Sequence, residues 1–571
     1  MNGIKSFLPI LNWLPSYNKE WLKSDIAAGL TVGVMLIPQG MAYAMLAGLP
    51  PIYGLYSALI PLLTYAVFGT SRQLAVGPVA MDSLIVLSGV SAFATVGTEY
   101  FIEIALLLAL VEGLVLFFLG LLRLGFLVNF LSSPVISGFT SAAALVIGLN
   151  QLKHIVGVNL PSSNHLHVII ANAVETIQEW NWVSVIIGVA GIVLIKLLKK
   201  FVPKLPGALV VVAVSIPLVF VLGLGQQGLK IVGEIPTGLP AFRMPIYDWE
   251  LIQKLFPTIM TLALVAFLEA ISVAKAVHAK HRDYEINPNQ ELMALGLANI
   301  FGSFFQSFSV TGGFSRTAVN DQAGAKTGLA SIISAALIAF TLLFLTPLFY
   351  HLPNAILASI IMVAVSGLFD WKEPLRLWKI DKRDFIMLLV TFGSTLTFGI
   401  ANGILLGVAL SMVMVVFKSA YPNMVQLGVI KGTRYYRNIK RFKEAESFND
   451  LLIVRFDAQL FFANAGSFRD KTLQWSMAKK GLKAIVFDFQ AVNDVDTSAV
   501  KILSEMFVFY NEKNVRLIFA GVKGPVRDKM SAMQFTQEVG ADSFFMNVAE
   551  AKEDFYDESH PSTKEYTQQA N

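Results

Sequence analysis

The chain holds 571 residues, 55% of them hydrophobic and 15% charged, with a mean hydropathy of +0.62. Soluble domains carry about 25% charged residues, so this composition specifies a polytopic membrane protein. Cysteine is absent, which excludes disulfides, zinc–thiolate centres and cysteine nucleophiles. The net charge of +5 fits basic cytoplasmic loops rather than a nucleic-acid surface.

Residues 1–25 mix Lys, Trp, Pro and Glu with no apolar core before a cleavage site. They read as a cytoplasmic, interfacial segment and not as a signal peptide. From 26 to 417 the chain alternates apolar stretches with short polar joins. Fourteen stretches are candidate spans, near 26–48, 53–68, 79–96, 101–122, 126–149, 182–199, 206–224, 255–278, 288–304, 314–324, 327–348, 353–369, 384–398 and 400–417. Lys196, Lys199, Lys200 and Lys204 follow the sixth, Lys275, Lys280 and Arg282 the eighth, and Lys372, Arg376, Lys379, Lys382 and Arg383 the twelfth. The joins after the first, third, eleventh and thirteenth have no Lys or Arg. The positive-inside rule then places both termini in the cytoplasm, consistent with an even number of spans.

One stretch breaks the apolar pattern. Ser307-Phe308-Ser309-Val310-Thr311-Gly312-Gly313-Phe314-Ser315-Arg316-Thr317 combines β-favouring residues, two glycines and an arginine. Non-helical backbone at membrane depth requires cover by protein or water, and a charge there marks a functional site. The stretch reads as a short strand that turns at Gly312-Gly313 into a half-helix. It also has a counterpart. Phe68-Gly69-Thr70-Ser71-Arg72-Gln73 reappears as Phe301-Gly302-Ser303-Phe304-Phe305-Gln306, Gly77-Pro78 matches Gly312-Gly313, and Pro38 to Tyr43 sits where the second half has Leu268 to Val273. The offset is 230 to 235 residues throughout. Seven spans separate the copies, so they enter the membrane from opposite sides, as in the inverted repeats of transporters.

Two half-helices meeting head to head would present their N-terminal amides to one midplane cavity. The first offers Val79, Ala80 and Met81, the second Phe314, Ser315 and Arg316. Each end contributes about half a positive charge, and free N–H groups there bind anions. Arg316 adds a fixed charge with donors suited to an oxyanion, and Ser315 adds a hydroxyl. Glu269 lies in an otherwise uncharged apolar run. Burial and a neighbouring cation act on such a carboxyl in opposite senses, which suits it to take up and release a proton; a permanent ion pair with Arg316 is the alternative. Gln39 and Tyr43, one helical turn apart, would line the same site or simply pack. Asp82 reads as a carboxylate on the helix dipole, with a second ion ligand as the alternative, while Glu103, Glu112, Arg72 and Arg123 receive no role. Metal-ligand spacing, nucleotide-binding glycine loops and nucleophile elbows are absent from the sequence. No cofactor or metal is expected, and transport would draw on a gradient.

After a basic linker at 418–443, residues 444–558 read as one soluble α/β domain, and 559–571 as a disordered tail. Strands are expected at 451–456, 484–489 and 515–520, and helices at 468–480, 497–511 (capped by Asp496) and 524–533.

Ile37-Pro38-Gln39-Gly40-Met41-Ala42-Tyr43-Ala44, Tyr53-Gly54-Leu55-Tyr56-Ser57, Gly77-Pro78-Val79-Ala80 and Gly313-Phe314-Ser315-Arg316-Thr317-Ala318-Val319-Asn320 resemble the SulP (sulfate permease) family of anion transporters. The tail resembles that family's STAS domain, itself similar to anti-sigma-factor antagonists. The resemblance implies fourteen spans in two inverted seven-span repeats, as in uracil permease. It also implies a core domain moving against a gate domain, and a homodimer in the cell (inner) membrane. Gln39, Tyr43, Val79, Ala80, Ser315 and Arg316 match substrate-site positions, Glu269 matches the acidic position of the eighth span, and Phe314 joins the candidate binding residues through its first-turn amide. Val273 stands where sodium-coupled bicarbonate members tend to have a hydroxyl residue, which favours proton coupling. Asp496-Thr497-Ser498-Ala499 resembles the loop phosphorylated in the antagonists, with Ser498 at the modified serine; the alternative is an ordinary helix-start residue.

The expected function is therefore proton-coupled symport of sulfate or a similar small anion, with no enzymatic activity. The alternatives are a bicarbonate or other small-anion transporter (sodium-coupled or an exchanger), an uncoupled anion channel, and a signalling protein whose output is the STAS domain. Membrane lipid and a cytosolic partner of the STAS domain are further expected contacts.

Overall fold

A computed structural model describes residues 7–126, 132–158, 166–202, 206–281 and 284–557. Lys204, Arg282 and the 559–571 tail lie outside the described residues. The chain divides into two units, Met1–Ser411 and Met412–Asn571.

In the first unit the main helices are α1 (Lys19–Leu46), α2 (Pro51–Phe68), α3 (Ala80–Val90), α4 (Glu99–Leu121), α5 (Ser133–Asn150), α6 (Trp182–Phe201), α7 (Gly207–Val221), α8 (Trp249–His278), α9 (Pro288–Phe304), α10 (Phe314–Gln322), α11 (Leu329–Phe340), α12 (Asn354–Ser366) and α13 (Lys382–Phe398); α14 (Ile400–Ala420) runs across the division. Two short strands, β1 (Val76–Gly77) and β2 (Thr311–Gly312), precede α3 and α10. Among the described residues, eight helices are long and apolar enough to cross a membrane unaided, with shorter apolar helices at Ala80–Val90, Gly207–Val221 and Asn354–Ser366. α1 begins before the expected residue 26 because Asn18 caps it, its Oδ1 accepting from the Trp21 amide at 2.9 Å. An unforeseen amphipathic helix, Lys372–Ile380, precedes α13.

α1–α4 and α8–α11 pack as one group around β1 and β2, while α5, α6, α7, α12 and α13 pack largely on one another. The closest approach in the first group is backbone on backbone. A Cβ on Gly54 would lie 1.9 Å from the Gly40 carbonyl oxygen, so the Gly40 and Gly54 motifs let α1 and α2 touch without side chains between them. Buried carboxylates staple the same group. Glu291 on α9 accepts from the Tyr65 hydroxyl (2.6 Å), both the amide (2.7 Å) and hydroxyl (2.5 Å) of Thr70, and the Ser71 amide (3.2 Å). Asp25 on α1 accepts from the Lys326 and Thr327 amides and from the Thr327 and Tyr17 hydroxyls.

The second unit is a seven-stranded sheet in the order β4-β3-β6-β7-β8-β9, with β5 also pairing to β3. Its strands are β3 (Met424–Ile430), β4 (Tyr436–Asn438), β5 (Ala445–Glu446), β6 (Leu451–Phe456), β7 (Ala484–Asp488), β8 (Arg516–Ala520) and β9 (Phe544–Phe545). Helices α15 (Ala465–Met477), α16 (Thr497–Asn511), α17 (Gly524–Ala532) and α18 (Val548–Tyr556) complete it. β6, β7, β8 and β9 pair in parallel, and β7 and β8 are fully buried, as continuous apolar runs in a covered parallel sheet must be. The stretch expected as a linker, 418–443, instead supplies β3 and β4. β3 pairs antiparallel with β6 through Met424↔Phe456 to Leu427↔Ile453.

Candidate functional site

β1 and β2 pair antiparallel, with Val76 opposite Gly312 and Gly77 opposite Thr311. The two repeats, more than 230 residues apart in sequence, thus meet at their irregular segments. Each strand ends at the start of a helix. α3 follows Val79 and α10 follows Gly313, and neither N-terminus has a side-chain cap. First-turn amides without intrahelical partners are therefore left at both ends.

The segment before α3 meets β2 and α10 through main-chain groups, and its Gln73 side chain reaches just past α10, Nε2 donating to the Ala325 carbonyl at 3.1 Å. The Gly313 amide donates to the Ala75 carbonyl at 3.1 Å, and the Ala75 amide donates to Thr317 Oγ1 at 3.0 Å. Asn320 Nδ2 donates to the Gln73 carbonyl at 2.8 Å, and Arg316 Nη1 to the Pro78 carbonyl at 2.7 Å. β2 is fixed from behind. Thr311 Oγ1 donates to the Ala266 carbonyl of α8 at 2.5 Å, and Asn299 of α9 brackets Val310, accepting from its amide at 2.9 Å and donating to its carbonyl at 3.0 Å.

Arg316 is 1% exposed, yet its Nε and Nη2 have no hydrogen-bond partner. Burying a guanidinium with open donors is costly, and such donors are poised for a ligand. The side chain folds back over Gly313, where a Cβ would lie 2.6 Å from Nη2. Ser315 and Phe314 are exposed beside it, and Val79 and Ala80 are buried at the opposite helix start. Gln39 and Tyr43 are each 5% exposed on α1, and Gln39 Oε1 has no partner. Tyr43 and Glu269 are the ionisable groups within electrostatic reach of Arg316. Glu269, half-buried on α8, makes no ion pair with it among the described residues. The geometry thus gathers Pro78, Tyr43 and Glu269 around Arg316; Val79 and Ala80 follow Pro78, Phe314 and Ser315 precede Arg316, and Gln39 stands one turn before Tyr43 on α1.

Asp82 stands in the first turn of α3, where a carboxylate meets the helix dipole, but it closes no hydrogen bond there. Both its carboxylate oxygens are buried without a partner, amides of α3 included. Sequence reasoning missed Thr317, Asn320 and Asn299; the signal available for the last was an amide within the apolar stretch Leu292–Phe301 of α9. In the second unit, Ser498 is exposed at the second residue of α16, whose N-terminus is capped by Asp496 Oδ1 accepting from the Ala499 amide at 2.8 Å.

Residues 22–391 match the sulfate permease family, and residues 442–551 match the STAS domain. The chain belongs to the sulfate permease family. Among its relatives, the protein named sulfate transporter 4.1, chloroplastic, of Arabidopsis thaliana is 40% identical over 569 residues, covering 96% of this chain and 83% of that one. High affinity sulfate transporter 2 of Stylosanthes hamata is 33% identical, covering 96% and 86%. Among solved structures, murine Slc26a9, an anion transporter caught inward-facing, superposes with a TM-score of 0.88 at 28% identity, covering 96% of this chain and 94% of that one. The transmembrane domain of the cyanobacterial bicarbonate transporter BicA shares the fold at a TM-score of 0.60 and 22% identity, over 69% and 98%. This family member is accordingly a membrane transporter with a C-terminal STAS domain, and not an enzyme.

Proposed function

We propose that the protein is a secondary active transporter of a small inorganic anion, sulfate in symport with protons. It would work by alternating access around the cavity between the N-termini of α3 and α10. The observation that supports this most is the buried Arg316 with two open donors beside two uncapped helix starts. A tetrahedral oxyanion would accept from the guanidinium, the first-turn amides and the Ser315 hydroxyl, with Gln39 and Tyr43 closing the cavity. The names of its relatives favour sulfate.

Glu269, near Arg316 but not paired with it, is the proton carrier in this reading. It is neutralised as the dianion enters and deprotonated as it leaves. Fourteen spans in two inverted repeats, cytoplasmic termini and a homodimer complete the arrangement, with Ser498 as a phosphorylation site of the STAS domain. The test is radiolabelled sulfate uptake into proteoliposomes under imposed pH or sodium gradients. Accumulation above equilibrium driven by an inward proton gradient, and lost in Glu269→Gln, is the expected result. Equilibration without accumulation would make it a facilitator, and accumulation driven by sodium alone would overturn proton coupling.

A further inference from the structure

Two kinds of buried carboxyl occur in the membrane unit. Asp25 and Glu291, both 0% exposed, each accept from four donors. Asp82 and Glu112 are also 0% exposed, and all four of their carboxylate oxygens lack a hydrogen-bond partner. An isolated carboxylate in a low-dielectric interior costs several kcal/mol or more and neutralises instead.

The surroundings of the second pair are acidic. α3 packs on α8, α4, α1 and α5. α8 brings Glu269 towards Asp82, and α4 brings Glu112. α1 brings Tyr43, whose charged neighbours are Arg316 and Glu269, and α5 has no ionisable residue. The other charged residues of α8 (Glu250, Lys254, Lys275 and His278) sit in its first or last two turns. On α4, Glu99 and Glu103 are both taken by Arg243, at 3.0 and 2.7 Å. Neither Asp82 nor Glu112 has a cationic partner among the described residues. Ser309, just before β2, is itself 0% exposed with an unpartnered Oγ, and it faces Glu112 without closing a hydrogen bond on it. Two carboxyls that repel each other cannot both ionise cheaply, and no group of three or more acidic or histidine ligands that could hold a metal ion occurs among the described residues.

We propose that Asp82 and Glu112 form a buried proton-holding pair whose protonation keeps the α3 end of the anion site free of negative charge. Asp82 lies in the first turn of α3, so an ionised Asp82 would compete with the anion for the positive end of that helix. The pair is thus a second place, distinct from Glu269, where proton occupancy and anion binding are linked. This rests on the anion reading of the α3 and α10 ends.

The test is sulfate binding by calorimetry to full-length protein in lipid nanodiscs, from about pH 6 to about pH 8. Wild type loses affinity as pH rises. Glu269→Gln keeps part of that loss, with a limiting slope of up to about tenfold per pH unit for one linked proton. Adding Asp82→Asn or Glu112→Gln to that variant flattens the profile while holding acid-side affinity within about threefold. A profile already flat in Glu269→Gln alone would overturn the proposal, as would a slope that both second substitutions leave intact. Restoration of alkaline-side affinity by sodium would also overturn it in favour of a cation site. Infrared spectroscopy of the wild type covers variants that do not fold. A protonated-carboxyl C=O band from buried, slowly exchanging acids at neutral pH is expected, and its absence would overturn the pair. Sulfate failing to bind wild type at any pH would sink the substrate reading and leave the infrared result to decide the pair.

Discussion

The two halves of the site share a backbone plan and differ in chemistry. Each is a two-residue strand running into an uncapped half-helix. Towards its counterpart, the first half offers mainly main-chain groups, of Gln73, Ala75 and Pro78, with the Gln73 amide as its one side-chain tie among these contacts, whereas the second offers mainly the side chains of Arg316, Thr317 and Asn320. The charges differ as well: an acid, Asp82, stands in the first turn of α3 and a cation, Arg316, in the first turn of α10. A repeat can therefore keep its fold symmetry while one copy becomes a backbone scaffold and the other specialises in side-chain recognition. The difference predicts that side-chain changes matter more on the second half.

Arg316→Ala should be the most severe. Two charge-assisted hydrogen bonds at about 1.5–3 kcal/mol each correspond to at least about a hundredfold loss of sulfate affinity in purified, monodisperse protein. Unchanged affinity would remove Arg316 from the site. Gly313→Ala comes next, since its Cβ would meet Nη2 at 2.6 Å and push the guanidinium off its position. Misplacing a binding group by about 1 Å costs up to a hundredfold, so calorimetry should show affinity falling about 10- to 100-fold. A neutral result would mean that the first-turn amides dominate binding. Thr317→Val is the mildest of the three. It strands the buried Ala75 amide at a cost of about 1–3 kcal/mol, read as a lowered melting temperature with sulfate affinity changed less than in the other two. Equal damage to affinity and stability would show that the tie between the halves is itself part of the recognition.

Much of this was legible because backbone signals are local. Gly312-Gly313 and Gly77-Pro78 mark both helix starts, and the similar offset of 230 to 235 residues between the copies relates the two segments by the symmetry of the repeat. Composition alone separates the two units. The misreadings share a cause, which is that a residue type does not reveal its partner. Lys431, Arg437 and Lys440 made 418–443 look like a solvated linker, yet Met424 to Leu427 pairs with Ile453 to Phe456 of β6, a distant partner that periodicity does not report. Asp82 stands in the first turn of α3 as its position predicts, but that neither of its carboxylate oxygens finds a hydrogen-bond partner is not visible in the sequence. Thr317 and Asn320 look like ordinary helix residues until Gln73 and Ala75 arrive from the other repeat.

The pairing of Val76 with Gly312 also dictates an order of events at the ribosome. Chains emerge N-terminus first, so α3 and α4 are made while the second strand is still unwritten. For that interval Asp82 and Glu112 have neither β2 nor Ser309 beside them, and Arg316 does not yet exist. The first half must wait in the translocon or bilayer as an open edge with two uncompensated acids. No anion can assist its folding, because the cavity closes only when residue 316 has been added.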